Sequence, residues 1–371
     1  MRYYLIAGEA SGDLHGSNLM KGLRAEDPDA EFRFWGGDLM SEAAGGTAPV
    51  VHYRDGAVMG IAEVLANAGK LSRNLQHCKQ DIAEWKPDVV ILIDYPGFNL
   101  KIAKFCHERG VKVLYYIAPK TWASREGRNR KLKAWVDMLF VVFPFEVPYF
   151  EKQGIPFVFK GNPLIDAVDS HRFRHPSDEP YLAVLPGSRK AEIRRMMPVC
   201  MEVADRLGMK VLVAGAPSAS EEDYYPWIAK RANVKLLFGR TLDILKYAKA
   251  AIVNSGTASL EAALTATPQV VCWSTSALTF FVADKIWGVR RRIKYVSLGN
   301  LCLGRQAFRE LLQGDFNADS VADEVRRLLE NKPYRRHMKE DCAQIREVLG
   351  GSGASQAIAA AMIEELKSNA I

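Results

Sequence analysis

Residues 2–13 read RYYLIAGEASGD, and the fold turns on how this stretch changes character halfway. Apart from Arg2, residues 2–7 are apolar or aromatic without alternation, as a strand covered on both faces of a parallel sheet requires. Residues 8–13 form a Gly-rich turn, and 14–24 carry helical spacing. Strand, Gly-rich turn and helix make one unit of a doubly wound α/β sheet. The unit recurs: strands are expected at 32–35, 86–93, 111–117 and 138–142, with helices at 101–109 and 128–135. After a polar stretch at 171–180 the alternation restarts, with strands at 181–185, 210–214, 234–237, 250–253 and 268–273 and helices at 192–207, 241–248 and 258–264.

Two such domains match the length, because 371 residues exceed what one core usually serves. The expected division is a first domain over 1–168, a second over 169–350, and a C-terminal helix over 351–371 after the hinge-like Gly350-Gly351-Ser352-Gly353. That helix would pack across the domains or onto a partner. Ligands of doubly wound sheets bind beyond the carboxyl ends of the strands, so the Gly-rich turns are the places to look for chemistry.

The first candidate is Gly187-Ser188-Arg189, with Glu192 three residues on. Glycine permits close backbone approach, a helix start offers unpaired N–H groups, and arginine supplies a fork for a diphosphate. The same residues also suit an ordinary turn in which Arg189 pairs with Glu192. The second candidate is Ser255-Gly256-Thr257 followed by Glu261. Here hydroxyls and turn amides meet phosphate oxygens and the carboxylate accepts both hydroxyls of a ribose, unless Glu261 only favours the helix dipole. Two such turns in one domain point to a nucleoside diphosphate. In the first half, Glu9, Asp13 and Asp94 place carboxylates at strand ends, and Asp94, directly after VVILI, suits a general base as well as a turn or capping residue.

Other classes lose ground. Neither G-x-G-x-x-G nor G-x-x-x-x-G-K-[ST] occurs, nor does a G-x-S-x-G elbow. The six Cys lack ligand spacing and His15 and His52 stand alone, so no metal or cofactor is expected. A net charge of +7 is compatible with phosphorylated substrates or an anionic membrane, and with no recognition motif a nucleic-acid partner is not expected. No run reaches the roughly 18 apolar residues of a membrane span, so membrane contact would be peripheral. Met59 and Ile61, and Phe280, Phe281 and Trp287 beside Arg290, Arg291 and Arg292, are the candidate lipid-facing residues. The segment 122–135, with Arg125, Arg128, Arg130, Lys131 and Lys133, has the same mixture; a solvated basic face over core aromatics is the alternative in each case.

Seven segments together resemble the lipid-A-disaccharide synthase family, in the family's order: AGEASGD (7–13), MGIAEVL (59–65), IDYPGFN (93–99), FPFE (143–146), LPGSRKAEI (185–193), NSGTASLEA (254–262) and YVSLGNL (295–301). The resemblance implies a GT-B glycosyltransferase, two Rossmann-like domains facing a central cleft, in the cytoplasm at the inner membrane of a Gram-negative cell. It implies UDP-2,3-diacylglucosamine as donor and 2,3-diacylglucosamine 1-phosphate as acceptor, giving a β-1,6 disaccharide with inversion, without an essential metal. A homodimer is what the family suggests. Carried over by position, Arg189 and Ser255-Gly256-Thr257 resemble diphosphate contacts, Glu261 the ribose contact, Asn300 and Gln313 further polar donors, and Asp94 the base. Two segments depart: Gly161-Asn162-Pro163 stands where G-H-P is expected, and 118–125 reads APKTWASR where the family resembles SPSVWAWR. Other readings of the same turns are a lipid-linked transferase or 2-epimerase using UDP-N-acetylglucosamine, and a non-catalytic sugar-nucleotide-binding protein.

Overall fold

In the computed structural model, residues 1–56, 68–275 and 294–368 are described. They fall into two compact units, Met1–Asp166 with Ser352–Ile371, and Ala167–Gly351. In the first, β1 (Arg2–Ala7), β2 (Glu31–Gly36), β3 (Val51–His52), β4 (Val89–Ile93), β5 (Lys112–Tyr116), β6 (Met138–Val141) and β7 (Phe157–Phe159) form a parallel sheet in the order β3-β2-β1-β4-β5-β6-β7. The VVILI of β4 is buried throughout, as its unbroken apolar run demands. In the second, β8 (Tyr181–Leu185), β9 (Lys210–Gly215), β10 (Val234–Phe238), β11 (Ala250–Asn254), β12 (Gln269–Trp273) and β13 (Glu310–Leu312) give a parallel sheet in the order β10-β9-β8-β11-β12-β13. Both sheets are doubly wound, with the order reversing between β1 and β4 and between β8 and β11.

Two of the expected turns are shorter than the sequence suggests. Helix Ala10–Glu26 begins only two residues after the end of β1, so Gly12 is helical, and a Cβ there would lie 3.1 Å from that of Ala7. Helix Pro96–His107 likewise starts at once, because proline is suited to a first-turn position where its missing N–H costs nothing. Strand β4 starts at Val89 and not at 86, since Lys86 sits in the left-handed region at φ 52°. Strands β3, β7 and β13 have two or three residues, too few to leave a readable pattern.

The C-terminal helix Ala354–Ser368 lies in the first unit, packed along helix Ala10–Glu26. Its start is tied down by Asp166, whose carboxylate accepts from the amides of Gly353 at 2.6 Å and Ser355 at 2.7 Å. The two helices approach closest at Gly22, where a Cβ would fall 2.9 Å from Ala359 Cβ and 3.2 Å from the Ser355 carbonyl oxygen. Replacing Gly22 by valine should therefore overpack this contact and cost about 1–3 kcal/mol. Chemical denaturation would read the loss, and an unchanged midpoint would show that the helices separate without penalty.

Candidate active site

Glu9 follows β1 and Asp94 follows β4, so both flank the reversal point of the first sheet, where a crevice opens. Asp94 and Tyr95 both have positive φ, 43° and 47°, a conformation that costs non-glycine residues of order 1 kcal/mol or more each. The turn is held open by its neighbours. The Asp94 carbonyl accepts from Tyr115 Oη at 2.5 Å and Asn99 Nδ2 at 2.7 Å, while its amide donates to the Tyr116 carbonyl at 3.0 Å. Tyr95 turns its ring onto Gly8, where a Cβ would lie 2.5 Å from ring carbons, so only glycine lets the ends of β1 and β4 close up. Tyr95, not Asp94, is the residue preceding the helix, and no side chain caps that start. The Asp94 carboxylate is thus not spent on a cap, and its charge is felt by Arg128. Burial foremost, then Arg125, pushes the Arg128 guanidinium below its ordinary range, against the opposing pull of Tyr115 and Asp94.

Asp13 has a different task. Its buried carboxylate accepts from the amides of Gly37 at 2.7 Å, Leu39 at 3.1 Å and Met40 at 3.1 Å, capping helix Asp38–Ala43. That fixes the loop after β2 against the first helix and leaves Glu9 and Asp94 as the carboxylates at the crevice.

The segment FPFE builds a buried knot at the end of β6. Glu146 accepts from the amides of Val142 and Phe143, both at 3.1 Å, and from Trp122 Nε1 at 3.2 Å, yet burial still pushes its carboxyl up to about 7. Trp122 meets Phe145 edge-on, and Phe145 stacks on Phe143. Asn162, in place of histidine, donates to the Val142 carbonyl and accepts from the Leu164 amide, both at 2.9 Å. It secures the same strand end from the other side.

In the second unit, the turns after β8 and β11 flank its reversal point. Gly187, at φ 109°, could bear no side chain, since a Cβ would sit 2.5 Å from Asn254 Nδ2 and 2.4 Å from Glu192 Oε2. Glu192 accepts from the amides of Ser188 at 3.0 Å and Arg189 at 3.2 Å and meets Arg189 Nη1 at 3.4 Å. So the turn amides are spent inside the protein, and what it still offers a ligand is the Ser188 hydroxyl and the Arg189 fork. The exposed Arg189–Glu192 pair is worth under about 0.5 kcal/mol, too little to hold the guanidinium from a diphosphate.

Across the reversal point, the Ser255 amide donates to the Cys272 carbonyl at 3.0 Å, and Gly256, at φ 142°, leads into helix Thr257–Leu264. The first amides of that helix have no partner within it. Thr257 and Glu261 share a helix face. Burial alone pushes the Glu261 carboxyl up to about 7, and no cation or donor offsets it among the described residues.

Asn300 serves the framework, and so does the side-chain oxygen of Gln313, whose amide nitrogen takes no part in these bonds. Gln313 Oε1 accepts from the Thr275 amide at 3.0 Å and Ser274 Oγ at 3.2 Å, fixing the loop after β12. Asn300, fully buried, accepts from the amides of Ala307 and Phe308 and donates to the Phe308 carbonyl and Glu310, so its polar capacity is consumed and it has none to give a nucleotide. Met59, Ile61, Phe280, Phe281, Trp287, Arg290, Arg291 and Arg292 lie outside the described residues. No helix among the described residues is long and apolar enough to cross a membrane.

Sequence reasoning passed over Tyr115 and Asn99. Tyr115 is signalled only by position, one residue before the end of β5 beside β4, and Asn99 by its place in the first turn of the following helix, within IDYPGFN.

Solved structures similar in fold include the UDP-GlcNAc 2-epimerase of Neisseria meningitidis, at TM-score 0.68 and 12% identity over 98% of this chain and 100% of that one. The calicheamicin glycosyltransferase CalG4 matches at TM-score 0.57 and 15% identity over 99% and 98%. These place the two parallel-sheet domains among GT-B glycosyltransferases and epimerases. Sequence comparison separates the two. Lipid-A-disaccharide synthase of Trichlorobacter lovleyi is 36% identical over 96% of each chain, and that of Myxococcus xanthus 37% over 98% of this chain and 97% of its own. A family model described as lipid-A-disaccharide synthetase matches residues 3–363. The chain therefore belongs to the lipid-A-disaccharide synthase family, glycosyltransferases of lipid A biosynthesis.

Proposed function

We propose that the protein condenses UDP-2,3-diacylglucosamine with 2,3-diacylglucosamine 1-phosphate into the β-1,6-linked disaccharide 1-phosphate, releasing UDP, with the donor nucleotide held in the second unit and Asp94 acting as base. The observation that carries the reading is the strained Asp94-Tyr95 turn at the reversal point of the first sheet, since backbone held in a disfavoured region marks a side chain that must be aimed. Inversion is one in-line displacement: the base takes the proton from the acceptor 6-hydroxyl as the oxygen attacks the anomeric carbon and UDP departs. Arg189, Ser255, Thr257 and the amides that open helix Thr257–Leu264 stabilise the charge growing on the leaving diphosphate. Glu261 accepts from the ribose hydroxyls. Glu9, on the far side of the same crevice, orients the acceptor sugar. Acylated substrates reside in a membrane, and the segments around Met59 and Phe280 to Arg292 supply the aromatic and cationic chemistry for a peripheral seat on the anionic inner-membrane surface.

Turnover of Asp94→Asn should fall by roughly 10²–10⁴-fold with the donor KM little changed. Asp13→Asn instead should lose about 3 kcal/mol of stability, because amides that faced a carboxylate are left partly unpaired. Product formation followed by mass, together with thermal melts of both variants, separates the roles; an active Asp94→Asn enzyme would remove the assigned base.

The Glu261 assignment has a pH signature. The carboxyl is protonated below about 7 in the free protein, and ribose hydroxyls bind its ionised form better, so affinity for UDP-N-acetylglucosamine should rise with pH through that region. Between pH 7 and 6 the ionised fraction falls roughly fivefold, and the affinity with it. Calorimetric titration should show this slope in the wild type and a flat profile in Glu261→Gln; equal slopes would place the titrating group elsewhere.

A further inference from the structure

The first unit holds a cleft of about 520 Å³ that the assignments above leave unused, lined from helices Ala68–Trp85, Pro96–His107 and Asn129–Trp135. Its charged lining has one sign: Lys79, Lys101, Lys104, Arg125, Arg128 and Lys131 contribute, and no Asp or Glu does. Lys101 and Lys104 follow Gly97 at helical spacing, so all three lie along one face. Lys104 reaches Glu108 at 3.6 Å, but Lys79, Lys101, Arg128 and Lys131 form no salt bridge among the described residues. Aromatic faces take part of that role: Lys79 lies 5.5 Å from the Phe105 ring centroid, and Lys131 and Lys104 lie 5.9 and 6.0 Å from that of Trp135. Like charges gathered round one cavity repel, and ring quadrupoles are a weak counterweight. An anionic ligand would supply the counter-charge that the lining lacks.

We propose that this cleft is a phosphate subsite, and that it holds the phosphomonoester of the acceptor sugar while Asp94 serves that sugar's hydroxyl. The inference rests on the Asp94 assignment above. Two observations join the cleft to that residue. Pro96 and Gly97 on its rim directly follow the Asp94-Tyr95 turn, and Arg128 both lines the cleft and interacts with the Asp94 charge. An acceptor with phosphate on C1 and its reacting hydroxyl on C6 spans one sugar ring, which calls for an anion site a ring's width from the base. Trp135 and Leu75 add apolar wall to the cleft. A phospholipid headgroup carries the same phosphate, so the test separates the two sources.

The variant is Lys101→Gln with Lys131→Gln, neither of which is placed in the catalytic machinery. Wild-type protein should bind glucosamine 1-phosphate in preference to glucosamine, and the double variant should bind it roughly tenfold more weakly with an unchanged melting profile. In detergent micelles the KM for 2,3-diacylglucosamine 1-phosphate should rise by a similar factor, with kcat and the donor KM unchanged. An acceptor lacking the phosphate should be used alike by both proteins. An unchanged acceptor KM overturns the proposal, as does an equal loss toward both acceptors. Loss of sedimentation with phosphatidylglycerol vesicles while the acceptor KM stays constant also overturns it, by identifying a headgroup phosphate as the occupant. Glucosamine 1-phosphate binding is read without turnover, so it decides the subsite even if Asp94→Asn proves active and the base must be sought elsewhere.

Discussion

The reversal of winding, between β1 and β4 in one sheet and between β8 and β11 in the other, is the constraint on which the rest of the molecule depends. Parallel strands need a crossover each, and right-handed crossovers put successive helices on one face until the direction of winding changes. Where it changes, adjacent strand ends send their chains to opposite faces and a crevice is left between them. Each unit puts its Gly-rich turns at that place, and the candidate site residues lie on them, where the topology cannot close the surface.

Keeping those strand ends close takes more than topology. Tyr95 needs Gly8 bare, and Asn254 needs Gly187 bare; in each unit a glycine on one flank of the crevice admits a side chain from the other. Tyr115 and Asn99 then hold the carbonyl of Asp94 and so stabilise a turn that the isolated chain would disfavour. Strain at Asp94 and close approach at Gly8 are two sides of one arrangement, because Tyr95 connects them.

Long apolar runs made the parallel strands legible: RYYLIA, VVILI and YLAVL are buried as such runs must be, and their order of recurrence gave two doubly wound domains. Short edge strands such as Val51–His52 were not legible, because two residues carry no period. At the site, residue type located the turns but could not say which carboxylate caps a helix. Asp13 and Asp94 look alike in sequence; only the fold brings the amides of Gly37, Leu39 and Met40 to the first and none to cap the second. Asn300 misleads for the same reason, since a buried asparagine satisfied by a distant loop is indistinguishable in sequence from one facing a ligand. The lysines of the basic cleft come from separate helices, and no local window contains them together.

Charge is managed differently in the two units. In the second unit an internal carboxylate, Glu192, takes the amides of the first turn, and an exposed arginine is only loosely paired beside it. On the proposed function, a diphosphate would compete with that exposed pair, which is weak beside a bidentate contact. In the first unit the positive charge is spread over three helices and the turn between two of them, with no Asp or Glu among the residues that line the cleft. A preformed anion site orients a substrate without reorganisation. In the proposed reaction the second unit would offer its arginine out of a weak pair, and the first a group of cations gathered before the sugar arrives.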